Sequence, residues 1–225
     1  MNMRAISRAL IGLMAGAAAL LISCAPAAPT GAFPDPPADD PSLTHGIQTA
    51  VLAGGCFWGV EGVFERLKGV REAVSGYSGG EAETAQYELV STGTTGHAES
   101  VQVTYDPAQI SYGTILKVFF SIAHDPTQLN YQGPDHGTQY RSAIFYANPG
   151  QKAVAEGYIE AMRKAKTFSQ PIVTQVVPLK AFYAAEDYHQ HFMDRNPNYP
   201  YILMWDRPKV AALLKTYGNL VASQD

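Results

Sequence analysis

Apolar residues recur along this chain with two alternating periods. From Ile47 to Ala53 the run is almost wholly apolar and stops at Gly54-Gly55, which reads as a buried strand. Val60, Val63, Phe64 and Leu67 then fall at i, i+3, i+4 and i+7, one face of a helix. Val70 to Tyr77 predicts a second strand, entering a turn region between Gly76 and Gly80. Glu99 to Tyr105 is a strand with Glu99, Val101, Val103 and Tyr105 on one face, and Asp106-Pro107 ends it. Ser111 is placed to cap a helix carrying Ile115, Leu116, Phe119 and Ile122. After a polar loop from His124 to Gln139, Tyr140 to Ala147 reads as a strand. Asn148-Pro149 then opens a helix that runs to about Lys166. Ile172 to Val177 is a β-branched strand, Ala184 to Met193 a short helical piece, and Lys209 to Leu220 a closing helix. This order predicts an α+β fold, a two-layer sandwich with a central mixed β-sheet flanked by helices.

The N-terminus has a different pattern. Two arginines lie within Met1 to Arg8, and Ala9 to Ile22 is apolar or glycine throughout, which suits a secretory signal better than a membrane span. It ends in Leu21-Ile22-Ser23-Cys24, which looks like a bacterial lipoprotein cleavage box. Residues 1–23 are therefore expected as a lipoprotein signal peptide, with Cys24 carrying lipid; the alternative is ordinary cleavage near Ala25 to Ala28. Residues 24–44, with six prolines after Cys24 and few aliphatic side chains, are expected to form an extended tether, and 45–225 the catalytic domain. Export to the periplasmic face of a bacterial membrane follows, the outer membrane being favoured by Ala25 beside the lipid cysteine.

A formal net charge of −4 without a basic run argues against a nucleic-acid partner, and a monomer is expected. Cys24 and Cys56 are the only cysteines, so once Cys24 is lipidated no structural disulfide can form. Cys56 is thus a free thiol in an oxidising compartment, and it sits in Gly54-Gly55-Cys56-Phe57-Trp58-Gly59, where strand gives way to helix. A thiol at a helix N-terminus is expected to have a lowered pKa, and the two aromatics after it suggest an apolar pocket. Glu99, at the inner end of an apolar row, is expected to be desolvated and protonated, able to act as an acid. Tyr87 and Tyr140 are candidate hydroxyl donors, and Asp135 can bind a peptide backbone amide or serve an ordinary turn after Gly133-Pro134. His189 and His191 stand two apart and diverge on a helix, so no metal site is expected.

Several separated segments carry one resemblance. Gly55-Cys56-Phe57-Trp58-Gly59, Tyr77-Ser78-Gly79-Gly80, Tyr87 and Gly96-His97-Ala98-Glu99 occur in order, followed by Gly137-Thr138-Gln139-Tyr140-Arg141-Ser142 and Glu186-Asp187-Tyr188-His189-Gln190. Together they resemble the peptide methionine sulfoxide reductase A family over about residues 48–210. The resemblance implies that family's ferredoxin-like fold, with Cys56 as nucleophile and Glu99 as acid. It implies Tyr87 and Tyr140 as donors to the sulfoxide oxygen and Phe57 and Trp58 as a cage for the substrate methyl. Asp135 and His189 would contact substrate. It further implies reduction of the S epimer of methionine sulfoxide through a sulfenic acid, with no metal or organic cofactor. Many members carry extra C-terminal cysteines that resolve the sulfenic acid, and this chain has none after Tyr199. An external reductant, a small thiol or a thioredoxin-like protein, is therefore expected. A Cys–His hydrolase or acyltransferase and a non-catalytic methionine-binding lipoprotein are the competing readings.

Overall fold

The computed structural model describes residues 29–222. The signal segment and Cys24 lie outside the described residues. In chain order the elements are β1 (Gln48–Gly54), α1 (Phe57–Phe64), β2 (Val70–Ser78), α2 (Tyr87–Val90), β3 (Ala98–Tyr105) and α3 (Tyr112–Val118). A two-strand hairpin follows, β4 (Tyr131–Gln132) and β5 (Asp135–His136), then β6 (Ser142–Tyr146) and α4 (Pro149–Ala165). The chain closes with β7 (Gln175–Pro178), β8 (Phe182–Ala184), α5 (Phe192–Arg195) and α6 (Arg207–Tyr217).

Six strands form one sheet in the order β7-β6-β1-β3-β2-β8. Every neighbouring pair is antiparallel except β6–β7, so the sheet is mixed, as the alternating elements predict. The main core lies on one face, where Leu52, Val101, Val103 and Tyr105 meet Val60, Val63 and Phe64 of α1 and Ile115, Leu116, Tyr158 and Ile159 of the other helices. A smaller cluster of Val51, Ala53, Ala98, Ala143 and Phe145 lies on the opposite face. Ser111 caps α3 and Asn148 caps α4, each side-chain oxygen accepting a backbone N–H of the first turn. β8 and α2 were not legible in the sequence: both are short, and tertiary pairing sets them. The strand expected at Ile172 to Val177 begins later, at Gln175, where pairing with β6 starts.

The tether expectation needs correcting for residues 29–44. They are extended apart from one 3₁₀ turn at Pro41–Leu43, but they are strapped to the domain. Asp39 accepts the Tyr112 and Gly113 N–H groups at 2.6 and 2.8 Å, satisfying donors that the start of α3 leaves without helical partners. Phe33 packs edge-on against Phe168, Asp35 pairs with Lys117, and Leu43 is fully buried in the main core. Composition argued for a free linker because aliphatics are few there. One leucine, one phenylalanine and two aspartates at helix and lysine partners are enough to hold it.

Candidate active site

β1 delivers the chain to the site, and two glycines make the delivery possible. Gly55 has φ +89°, and a Cβ there would lie 2.5 Å from the Gln132 side chain. Gln132 is itself held by Asp125, whose N–H and C=O bond to its amide at 3.1 Å each. Cys56 follows as the N-cap of α1 and is 8% exposed. One helical turn on, Gly59 has no room for a side chain because Asp206 and Lys209 press against it.

Glu99 is 3% exposed, buried as its place on the apolar row predicts. Its Oε2 accepts the Phe57 N–H at 3.0 Å, so it sits over the first amide of α1, next to the Cys56 position. Burial raises its pKa to about 8 against the pull of that N–H, with the charges of Asp135 and Asp206 adding to the rise. It is therefore mostly protonated at neutral pH, as expected from the apolar face it shares.

The expected lowering of the Cys56 pKa is overturned. Burial pushes the thiol well above its ordinary value, and the charges of Glu99, Asp206 and Asp135 push the same way; only the Trp58 N–H pulls it down. The sequence showed the helix terminus but not the carboxylates that tertiary structure gathers around it. The Glu99 contribution exists only while Glu99 is ionised, so the two groups tend to hold a proton between them.

Tyr87 opens α2, and its N–H donates to Glu186 at 2.9 Å. Tyr140 lies in the loop before β6. Both hydroxyls are raised in pKa, chiefly by burial, and both feel the charges of Glu99 and Cys56, so the structure brings them to one centre. Phe57 is 1% exposed and packs on Tyr77 and His189. Trp58 stacks on Phe192 with centroids 3.8 Å apart, and its indole N–H donates to His189 Nδ1 at 3.1 Å. His189 is buried beside Tyr87 and Phe57, and burial lowers its pKa, so it is neutral. Asp135 accepts the Tyr201 hydroxyl, and burial raises its pKa.

A cavity of about 480 Å³ reaches Cys56 and is lined also by Asp135, Tyr201, Met204, Trp205 and His124. Glu99, Tyr87, Tyr140, Phe57 and Trp58 are not among its lining residues, so the cavity meets the site at Cys56 and Asp135. Only His124 of the histidines lines it. Its Nδ1 is bonded to the Phe119 carbonyl at 3.0 Å and its Nε2 to Ser142 at 2.7 Å, and burial drives its pKa down to about 4. A base with both nitrogens occupied and so low a pKa is poorly placed to activate a thiol, which counts against the Cys–His hydrolase.

Much of the motif set proves to be bracing. Arg141 donates to the carbonyls of Gly96, His97 and Thr138 at 2.9–3.0 Å, fixing the loop before Glu99 to the loop carrying Tyr140. Glu186 accepts from both Tyr87 N–H and Tyr77 OH, and Gln190 holds both backbone groups of Ser75. Asp206, Tyr201 and Gln132 went unnoticed in the sequence. Asp206 is the N-cap residue of α6, but its side chain makes no cap bond; it is fully buried, bonded to Lys209 at 3.1 Å, and its charge reaches Cys56 and Glu99. Away from the site, Glu61, Glu65 and His191 bring ligating atoms within 4.8 Å of one another. There His191 pairs with Glu65, and its N–H donates to Glu61.

The fold and the site define a cysteine-centred oxidoreductase. A family model described as peptide methionine sulfoxide reductase matches residues 48–219. A peptide methionine sulfoxide reductase MsrA 2 of Mesorhizobium japonicum is 55% identical over 185 residues, covering 82% of this chain and 95% of that protein. Its Synechocystis counterpart is 51% identical over 195 residues, covering 85% and 91%. Among solved structures, reduced Mxr1 of Saccharomyces cerevisiae aligns with TM-score 0.63 and 35% identity, over 72% of this chain and 91% of that one. Methionine sulfoxide reductase A of Corynebacterium diphtheriae aligns with TM-score 0.58 and 34% identity, over 76% and 89%. The chain belongs to the peptide methionine sulfoxide reductase family and is an A-type enzyme, a peptide-methionine (S)-S-oxide reductase.

Proposed function

We propose that the protein reduces the S epimer of methionine sulfoxide, free or in proteins, through a sulfenic acid on Cys56, with electrons from an external thiol. The observation that carries this reading is Glu99: a buried carboxyl with a pKa of about 8, bonded to the amide that follows Cys56. Its protonation lets the neighbouring sulfur ionise without facing a second charge. The thiolate attacks the sulfoxide sulfur while Glu99 gives its proton to the oxygen. The sulfoxide S–O bond breaks and the oxygen passes to the cysteine sulfur, leaving methionine, Cys56 sulfenic acid and ionised Glu99. Tyr87 and Tyr140 donate hydrogen bonds to the oxygen as charge develops on it. Phe57 and Trp58 shape the methyl site, and His189 holds the Trp58 indole. Asp135 orients the peptide backbone. Oxygen donors on one side and a methyl site on the other admit one configuration at sulfur.

Recycling follows from the cysteine count. Cys56 is the free cysteine of the described residues, and the sequence holds only Cys24 besides. A thiol from outside, small or on a thioredoxin-like protein, condenses with the sulfenic acid, releasing water, and a second thiol frees Cys56. With Cys24 as the lipid anchor, the enzyme works at the periplasmic face of the outer membrane as a monomer and repairs exported proteins. The test is stoichiometry. Given excess methionine sulfoxide and no thiol, the protein should release one methionine per chain and become trappable as a sulfenic acid; dithiothreitol should restore turnover. A second methionine without reductant, or a Cys56 still free after the first, sinks the scheme. Hydrolysis of esters or amides with no sulfoxide reduction would favour the hydrolase instead.

A further inference from the structure

The segment after the lipid cysteine runs past the cavity that reaches Cys56. Pro29 and Phe33 line that cavity together with Cys56, Met204 and Trp205. The Thr30 and Gly31 N–H groups donate to the Thr167 carbonyl at 2.9 and 3.2 Å, which ties this segment to the domain. Only four residues lie between Pro29 and Cys24, five steps along the chain. A fully extended chain spans at most about 3.6 Å per residue, so Cys24 lies within about 18 Å of the cavity mouth. A lipid on Cys24 therefore holds the mouth close to the headgroup layer whatever path those residues take.

Met204 and Trp205 of that lining follow Leu203, making three consecutive exposed apolar side chains: Leu203 at 44%, Met204 at 65% and Trp205 at 37%. Such a cluster is costly in water, and a tryptophan with one face on protein and one face free suits the membrane interface. The cations are placed to agree. Arg207 follows the patch in sequence and is exposed, and Lys166 is exposed where its carbonyl accepts the Thr30 hydroxyl, both available to lipid phosphates. We propose that Leu203, Met204 and Trp205 seat in the interfacial layer of the membrane that holds the anchor, turning the Cys56 cavity towards the bilayer. The substrates this orientation favours are methionine sulfoxides in membrane-apposed segments of proteins, ahead of those in freely diffusing ones. The inference rests on the reading of Cys24 as lipidated.

The test uses the mature lipidated chain reconstituted in vesicles of zwitterionic and anionic phospholipid with shallow brominated acyl chains. Intact mass and flotation report the anchor; tryptophan quenching reports the rim. Quenching is expected in the native protein, lost in Trp205→Phe, and weakened in Leu203→Glu, which lies outside the cavity lining and should keep its turnover on a soluble sulfoxide dipeptide. A chain that carries lipid and floats but shows no Trp205 quenching overturns the proposal and leaves the anchor standing. A mass without acyl groups, with no flotation, overturns the anchor and the proposal with it. Concentration-dependent cross-linking at Leu203 without quenching assigns the rim to a second copy and likewise overturns it.

Discussion

Replacing Glu99 with glutamine separates the two jobs that one carboxyl performs. The Phe57 N–H, bonded at 3.0 Å, keeps an acceptor in the amide oxygen, so the start of α1 should hold its position. Two other things change. The amide has no proton to give the sulfoxide oxygen, and general-acid loss is worth a hundredfold or more in the reduction step, at least about 2.7 kcal/mol. Above pH 8, where native Glu99 is ionised, the charge that helps lift the Cys56 pKa also disappears, so the thiol there becomes more acidic, though burial still keeps it raised. Glu99→Gln should therefore alkylate faster than the native protein above pH 8, where native Glu99 is ionised, and reduce sulfoxide more slowly at pH 7. A loss of packing would not predict that opposed pair. The pH profile adds a sign. With a pKa of about 8, Glu99 is about nine-tenths protonated at pH 7 and about one-tenth at pH 9, so its contribution to the native rate falls as pH rises through 8. The variant should lack that limb. Single-turnover methionine release by rapid quench, over a pH series, measures it. An unchanged rate, or a fall in rate together with slower alkylation, would refute the reasoning.

Three further outcomes follow. Cys56→Ser should retain the fold by circular dichroism and release no methionine, since a serine oxygen is a far poorer nucleophile; measurable turnover by pure variant would displace Cys56. Asp39→Ala removes the acceptor for the Tyr112 and Gly113 N–H groups and should cost about 1–2 kcal/mol in urea unfolding, as lost helix caps do, while opening residues 29–38 to proteolysis. Equal stability with a protected strap would show that the aspartate is idle. Burial and the charge of Glu65 raise Glu61 to about 7, so the folded state binds its proton more tightly than the unfolded chain. That contribution is complete below about pH 4.5 and lost as pH rises to about 7; Glu61→Gln should flatten this part of the stability curve, and an unaltered slope would contradict it.

The long periodic segments were legible because burial alone writes them. Glu99, Val101, Val103 and Tyr105 had to share a face, and the helices opened by Ser111 and Asn148 carried their caps in the sequence. The Cys56 context and the lack of a resolving cysteine near the C-terminus were likewise local facts. Tertiary structure decided the rest. Short elements such as α2 and β8 have too few residues to show a period, and they exist because Glu186 and β2 hold them. The strap looked free because composition cannot show that Asp39 will meet a helix start or that Leu43 will find the core. The thiol pKa reversed for the same reason: the helix N-terminus is a neighbour along the chain, whereas Glu99, Asp135 and Asp206 come from remote positions and meet Cys56 only through folding. Charge acts through space and burial is a property of the whole molecule, so neither can be summed along a sequence.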